Sequence, residues 1–365
     1  MKIIITGGHL SPALSVIDEI TVSHKETEII FVGRKYVSGK DKSPTLEYKE
    51  ITKREIKFYH LNAGRLTHVA SLSSLINFLK TPVGFIQALN IVKAEKPNLI
   101  LSFGGYLALP VAFAAFLLKI PVYSHEQTIS PGLANKIIDK FANKIFISFE
   151  ESQHFFSGKK TVLTGNPVKT SVLKIINKPF NIEKNKFVLY VTGGSLGSHS
   201  INDHIQKILR ELLKKYIVIH QTGNVKNYND FEKLKNFKAR LPPEIKNNYY
   251  LVEHFSEDEL GYIYSLADLV VSRAGANTFF ELIFLKKPTI FIPLPWAANQ
   301  EQLKQALIFQ NAGTSEIFNQ SEDSQKLFLL IEKVINNLDK YKNNFNNLIN
   351  LYHKNAAKNI VQEIF

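Results

Sequence analysis

Two short stretches of this chain are built to hold an anion. Thr6-Gly7-Gly8-His9 and Thr192-Gly193-Gly194-Ser195-Leu196-Gly197 each follow a strand-like apolar run and precede a helical one. A glycine loop at a helix N-terminus offers free backbone N–H groups and the positive end of the dipole, which suits a phosphate. Neither stretch is G-x-G-x-x-G, and neither carries the Lys-Ser/Thr of a P-loop. Glycine pairs also serve plain tight turns. Their recurrence at the equivalent strand end in each half is what points to a site. His9 stands at the start of a helix, where the dipole disfavours the imidazolium. A neutral imidazole can accept a proton near neutral pH, so His9 is either a general base or a packed ring.

Ser124-His125-Glu126-Gln127-Thr128 places several polar groups directly after a strand, as a surface loop or as part of a site. Gly104-Gly105-Tyr106 follows another strand end. In the second half, Arg273-Ala274-Gly275-Ala276-Asn277-Thr278 joins a strand to a helix bearing Glu281. That carboxylate could chelate the two hydroxyls of a ribose, or simply complement the helix dipole. Asn299-Gln300-Glu301-Gln302 is rich in amides and suits sugar hydroxyls. There is no D-x-D and no H-E-x-x-H, and Glu257-Asp258-Glu259 is accounted for by helix capping. A diphosphate would therefore be met by helix dipoles and basic side chains, with no metal cofactor.

These groups need a frame that brings strand ends together. Apolar runs at Lys2–Thr6, Glu28–Val32, Leu99–Ser102, Pro121–Ser124 and Lys144–Ile147 alternate with helical stretches at Pro12–Ile20, Val83–Ala94 and Pro110–Leu118. The cycle restarts with strands at Phe187–Val191, Ile217–Gln221, Tyr249–Glu253, Asp268–Ser272 and Pro288–Ile292. Helices are expected at Ser198–Lys215, Glu257–Leu266 and Thr278–Leu285, with Ser256 and Glu259 in capping-box spacing. This alternation predicts an α/β protein of two doubly wound parallel-sheet domains, with ligands in a cleft at the carboxyl ends of both sheets. The expected boundaries are 1–167 for the first domain, 168–186 for a linker, and 187–345 for the second. A C-terminal helix over 346–365 is expected to pack back on the first domain.

Composition narrows the classes. Of 365 residues, 45% are hydrophobic and 21% charged, the balance of a folded globular chain. The absence of cysteine excludes disulfides, thiolate catalysis and cysteine-ligated metals. The N-terminus lacks the features of a signal peptide, and the longest apolar stretch, Leu107 to Leu118, is too short to span a bilayer. A net charge of +13 reflects a lysine-rich surface or attraction to an anionic partner, whether an acidic membrane leaflet or nucleic acid. The aromatics lie in apolar runs and are not interleaved with Lys and Arg, which argues against nucleic acid.

Taken in order, the motifs resemble the MurG family of glycosyltransferases. The matches are Thr6-Gly7-Gly8-His9 with Pro12-Ala13, Gly104-Gly105-Tyr106, His125-Glu126-Gln127, Pro131-Gly132-Leu133-Ala134-Asn135 and Gly165-Asn166-Pro167-Val168. They continue with Gly193-Gly194-Ser195, His220-Gln221-Thr222-Gly223, Ala267-Asp268, Ser272-Arg273-Ala274-Gly275 and Pro293-Leu294-Pro295. The resemblance implies a GT-B fold and metal-free, inverting transfer of N-acetylglucosamine (GlcNAc) from UDP-GlcNAc. The acceptor it implies is the C4 hydroxyl of a lipid-linked N-acetylmuramyl-pentapeptide, in peptidoglycan synthesis.

It further implies that Glu281 holds the ribose, Gly194 and Ser195 the diphosphate, and the backbone near Ser256 the uracil. Gln302 would meet the sugar, with Arg273, Ala276, Asn277 and Thr278 lining the donor site. Thr6, Gly7, Gly8, Thr128 and Lys169 would approach the donor from the N-terminal side. His9 is the leading base and Glu126 the second. The chain departs from the family pattern in a shorter first glycine loop, Thr128 for Asn, Lys169 for Arg, Lys286 for Gly and Gln305 for Asn.

The resemblance also implies peripheral docking on the cytoplasmic side of the cell membrane, onto an anionic surface. The patch would be Leu72, Leu75, Ile76, Phe78, Leu79 and Phe85 with Arg65 and Lys80 nearby, unless these residues form a buried helix face. Other GT-B enzymes, a glycolipid synthase or a UDP-GlcNAc epimerase, are the alternative activities. A nucleotide-sugar-binding or nucleic-acid-binding protein is the non-enzymatic alternative.

Overall fold

The computed structural model describes residues 1–36, 42–62, 72–194, 196–224 and 228–365, without the side chains of 72–81, 159 and 298. The chain forms two compact units, Met1–Val168 with His353–Phe365, and Lys169–Tyr352.

The first unit is a seven-stranded parallel sheet. Its strands are β1 (Lys2–Thr6), β2 (Glu28–Gly33), β3 (Lys57–His60), β4 (Leu99–Ser102), β5 (Val122–Glu126), β6 (Lys144–Ile147) and β7 (Thr161–Leu163), in the spatial order β3-β2-β1-β4-β5-β6-β7. Ile3, Ile4, Ile5, Ile100 and Leu101 are fully buried, as expected for strands covered on both faces. The covering helices are α1 (Leu10–Ser23), α2 (Leu46–Lys53), α3 (Leu72–Glu95), α4 (Ala108–Leu117) and α5 (Leu133–Ile138). Strand β3 has no counterpart in the sequence reading: four residues carrying a Lys and a His give no apolar run. Helix α3 starts eleven residues before the expected Val83 and carries Pro82 inside it. A proline reads as a helix start because it lacks an N–H, yet an interior proline can be absorbed as a kink.

The second unit is a six-stranded parallel sheet. It comprises β8 (Val188–Thr192), β9 (Ile217–Gln221), β10 (Tyr249–Val252), β11 (Leu269–Ser272), β12 (Thr289–Phe291) and β13 (Ser315–Ile317), ordered β10-β9-β8-β11-β12-β13. Its helices are α6 (His199–Lys215), α7 (Asp230–Ala239), α8 (Pro243–Lys246), α9 (Glu257–Leu266), α10 (Ala276–Leu285), α11 (Glu301–Asn311), α12 (Ser324–Asn336) and α13 (Leu338–Asn343). Helix α6 buries Ile201, Ile205, Ile208, Leu209 and Leu212, one stripe at helical spacing. Each such side chain contributes about 1.5–3 kcal/mol of burial.

Residues 169–186 do not hang free. A 3-10 turn at Thr170–Leu173 packs on α9 so closely that a Cβ at Gly261 would lie 1.9 Å from the Lys174 carbonyl oxygen. Lys184 pairs with Asp268 at 2.9 Å, and Phe180 packs at a tilt on Tyr250 with ring centroids 4.8 Å apart. The lysines that suggest a solvated linker are interspersed with apolar anchors. At the other end the chain returns to the first unit. Helix α14 (Ala356–Ile364) buries Ile360 and Val361 beside Leu14 and Ile17 of α1, and Phe365 stacks on His24 at 3.7 Å.

Lys286, which stands where the family pattern has glycine, ends α10 in a left-handed conformation at φ 50°. That conformation costs a side-chain-bearing residue about 1–2 kcal/mol, partly offset by the entropy glycine adds to the unfolded chain. Lys286→Gly is expected to raise unfolding free energy by about 0.5–1 kcal/mol. Urea denaturation would register this as a higher midpoint at unchanged slope.

Candidate active site

Strands β1, β4 and β5 are neighbours in the first sheet, so Thr6, Ser102 and Glu126 end together at its carboxyl edge. Gly8 (φ 155°) lies against Gly104, where a Cβ would fall 2.2 Å from the Gly104 carbonyl oxygen. Only two glycine segments can interlock this closely. The Thr6 hydroxyl is buried there with no hydrogen-bond partner among the described residues.

The first loop differs from an open anion cradle. The Gly7 N–H donates to the Val32 carbonyl at 2.8 Å. The Glu47 carboxylate, brought in by α2, fills the space a side chain at Gly7 would need, 2.0 Å from its Cβ. Glu47 accepts from the Arg34 N–H at 2.8 Å. Burial pushes its carboxyl up, while backbone N–H groups of Arg34 and Gly8 pull it back. The chain's own carboxylate thus takes backbone N–H groups at this loop. Nothing in the sequence marks Glu47, because it lies forty residues away in a segment without a clear pattern.

His9 is the residue before α1 and is half-buried. Its Nδ1 lies 2.6 Å from the terminal amide of Gln127, and among the described residues Nε2 has no partner. Burial is the main cause that holds the imidazole below its usual range, and the Glu126 carboxylate opposes it. Burial and the helix dipole act in the same direction, each favouring the neutral ring. Glu126 is itself committed. Its carboxylate accepts from the Thr128 N–H (2.9 Å), the Thr128 hydroxyl (2.6 Å), the Gly132 N–H (3.2 Å) and the Asn135 amide (2.9 Å). With both oxygens engaged and 2% exposure, it clamps the loop after β5 and has no free lone pair facing out as a base would. Thr128, expected near the donor, spends its hydroxyl on this clamp. His125 is fully buried, which pushes its imidazole down to about 3.

In the second unit, β8, β9 and β11 end side by side at Thr192, Gln221 and Ser272. The Gly194 N–H donates to the Thr192 hydroxyl at 3.0 Å, and a Cβ at Gly193 would fall 2.3 Å from the Ser198 nitrogen. Ser195 lies outside the described residues. The loop delivers the chain to the N-terminus of α6, whose first N–H groups have no intrahelical acceptor.

Arg273, expected to face the donor, is spent inside the unit. It donates to the Ile292 carbonyl (2.8 Å) and to Ser198, Ser200 and Gln320 side chains at 2.7, 2.8 and 2.9 Å. It ties the glycine-loop end of α6 to the end of β12. Lys169 belongs to the second unit and pairs with Glu257.

Glu281 sits on α10 and accepts from the Tyr264 hydroxyl at 2.9 Å. Burial raises its carboxyl, and nearby Tyr264 and Lys169 lower it. Ala276, Asn277 and Thr278 form the first turn of the same helix, and Asn277 Oδ1 is buried without a partner among the described residues. Ser256 and Glu259 complete the capping box, with the Ser256 N–H donating to Glu259 at 2.7 Å. Gln302 accepts from the Leu294 N–H at 2.9 Å, which leaves its amide N–H groups for a ligand. Among the described residues no three His, Asp or Glu side chains are grouped to hold a metal ion.

The glycosyltransferase family 28 N-terminal domain matches residues 3–147, and the family's C-terminal domain matches 188–364. A relative from Clostridium perfringens is 37% identical, over 97% of this chain and 98% of its own length. The chain belongs to glycosyltransferase family 28. That relative is named UDP-N-acetylglucosamine--N-acetylmuramyl-(pentapeptide) pyrophosphoryl-undecaprenol N-acetylglucosamine transferase. A Clostridium tetani protein of the same name is 34% identical over 100% of this chain and 97% of its own. The fold is shared with Acinetobacter baumannii MurG (TM-score 0.69, 23% identity, 100% and 99% of the two chains). It is also shared with a Neisseria meningitidis UDP-GlcNAc 2-epimerase bound to UDP-GlcNAc (TM-score 0.68, 19% identity, 100% and 99%). The two-domain GT-B class and the family read from the collinear motifs both hold for this family 28 chain.

Proposed function

We propose that this family 28 enzyme transfers N-acetylglucosamine from UDP-GlcNAc to the C4 hydroxyl of lipid-linked N-acetylmuramyl-pentapeptide, with inversion and without a metal. Full-length identity of 34–37% to clostridial relatives of that name carries the reading. The geometry supports it at two points. A neutral His9 with an open Nε2 suits removal of a hydroxyl proton. The α6 N-terminus, the α10 first turn and Glu281 suit a uridine diphosphate. The C4 oxygen attacks the anomeric carbon, its proton passes to His9, and the bond to the UDP oxygen breaks with the electron pair leaving on UDP.

A 2-epimerase is the second reading, because a UDP-GlcNAc 2-epimerase shares the fold. The deciding assay offers labelled UDP-GlcNAc with the lipid-linked muramyl peptide, with diacylglycerol, or alone, each with and without EDTA. Transfer to the muramyl lipid that survives EDTA supports the proposal. Epimer formed without acceptor, or transfer only to diacylglycerol, overturns it.

The same reading places the protein on an acidic leaflet at the cytoplasmic face. No helix among the described residues is long and apolar enough to cross a membrane. Of the expected docking patch, Arg65 and the side chains of Leu72, Leu75, Ile76, Phe78, Leu79 and Lys80 lie outside the described residues. Phe85 is half-buried against Phe113 of α4 at 5.6 Å. Around that contact Val83, Ile86, Phe116 and Leu117 are 49–62% exposed, and Lys119 and Lys140 are exposed. Binding to acidic vesicles should fall at least tenfold, about 1.4 kcal/mol, in Ile86→Glu/Phe116→Glu. It should also weaken with salt. Sedimentation with neutral and acidic vesicles measures both, and equal binding by the variant would remove this surface from the reading.

A further inference from the structure

His9 can act as a base only through the nitrogen that carries no proton. In a neutral imidazole, the hydrogen bond at one nitrogen decides which that is. Among the described residues, its one hydrogen-bonding neighbour is the Gln127 side chain, 2.6 Å from Nδ1 and only 5% exposed. Glu126 cannot take this part, since Thr128, Gly132 and Asn135 already hold its carboxylate.

The amide of Gln127 can present either end to Nδ1. With nitrogen toward the ring, Nδ1 accepts, Nε2 carries the proton, and the outer nitrogen is useless as a base. That orientation leaves Gln127 Oε1 buried with no donor. An unsatisfied buried acceptor costs about 1–3 kcal/mol. Oxygen and nitrogen of a terminal amide have the same shape, so the hydrogen-bond network assigns them. Turning the amide places the orphaned oxygen at Nδ1, where it accepts Nδ1–H, and moves the amide N–H donors to the position the oxygen held.

We propose that Gln127 is the positioning residue of the base, its amide oxygen accepting the Nδ1–H of His9 and leaving the Nε2 lone pair open to the acceptor hydroxyl. When the hydroxyl proton moves to Nε2, the O–H bond breaks, an Nε2–H bond forms, and the ring becomes an imidazolium. Gln127 then holds a stronger, charge-assisted bond at Nδ1. The titratable groups facing His9 are Glu126 and His125. Neither makes a hydrogen bond to its ring, so the tautomer falls to Gln127.

The test has one arm independent of catalysis. In protein labelled with 15N-histidine, His9 is assigned among the eleven histidines by difference with His9→Gln. Wild type near neutral pH should show Nδ1 protonated and Nε2 bare. Gln127→Met should lose that preference and lower kcat at least tenfold with the KM for UDP-GlcNAc unchanged. Gln127→Glu, which keeps an acceptor and adds charge, should keep the tautomer and shift the acid limb of the pH profile upward by about one unit. A wild-type His9 protonated at Nε2, or an unmoved tautomer and pH profile in both variants, would overturn the assignment. The kinetic arm rests on the proposed transferase reading. If wild type fails to glycosylate the muramyl lipid, that reading fails while the spectra still decide the role of Gln127.

Discussion

His9→Ala is expected to lower kcat by about two to four orders of magnitude, the usual loss when a general base is removed. Donor affinity should stay within a factor of two or so, because the groups proposed to hold UDP lie in the other compact unit. The pH profile supplies a second check. A base must be unprotonated, and burial holds the His9 imidazole below its ordinary range. The ring therefore stays neutral to more acid pH than a free histidine, whose value is about 6.5. In wild type the acid limb of kcat/KM should lie beneath that value, and in His9→Ala the limb should disappear. A variant that keeps most of its turnover would move proton removal elsewhere. Glu126 is a poor recipient of that role, since all its acceptor capacity goes to Thr128, Gly132 and Asn135.

Much of this site can be read from sequence because its parts sit where short apolar runs stop. Strands buried on both faces are nearly continuous hydrophobic runs, and a parallel sheet brings their carboxyl ends together. That logic locates His9, the two glycine loops, Glu281 and the start of α10. It fails where a contact joins distant segments. Glu47 reaches the first glycine loop from α2, and Gln127 reaches His9 from the loop after β5, 118 residues away. Neither leaves a periodic mark. Arg273, which the resemblance places along the donor site, also has a part no local pattern signals: its guanidinium bonds carbonyls and hydroxyls that hold α6 in place. Short edge strands such as β13, three residues long, fall beneath what an apolar run can signal.

Glu281→Ala should weaken UDP binding by about 10- to 150-fold, equivalent to the 1.5–3 kcal/mol of a hydrogen bond to a charged group. The carboxylate is placed for this on α10, steadied by the Tyr264 hydroxyl at 2.9 Å. Glu281→Gln keeps the shape but halves the acceptors and removes the charge, so it should fall between wild type and alanine. Tyr264→Phe removes only the steadying bond and should cost about 1 kcal/mol or less. Burial raises the Glu281 carboxyl, so it takes up a proton at higher pH than a free glutamate. UDP affinity should accordingly weaken on mild acidification in wild type and hardly at all in Glu281→Gln. Titration calorimetry at two pH values measures each quantity, and unchanged affinity in Glu281→Ala would place the ribose elsewhere. A cross with His9 separates the roles further. If His9 acts only on the chemical step and Glu281 only on donor binding, the loss of kcat/KM in His9→Ala/Glu281→Ala equals the product of the single losses. A smaller combined loss would mean that the donor-binding carboxylate and the base act on the same step.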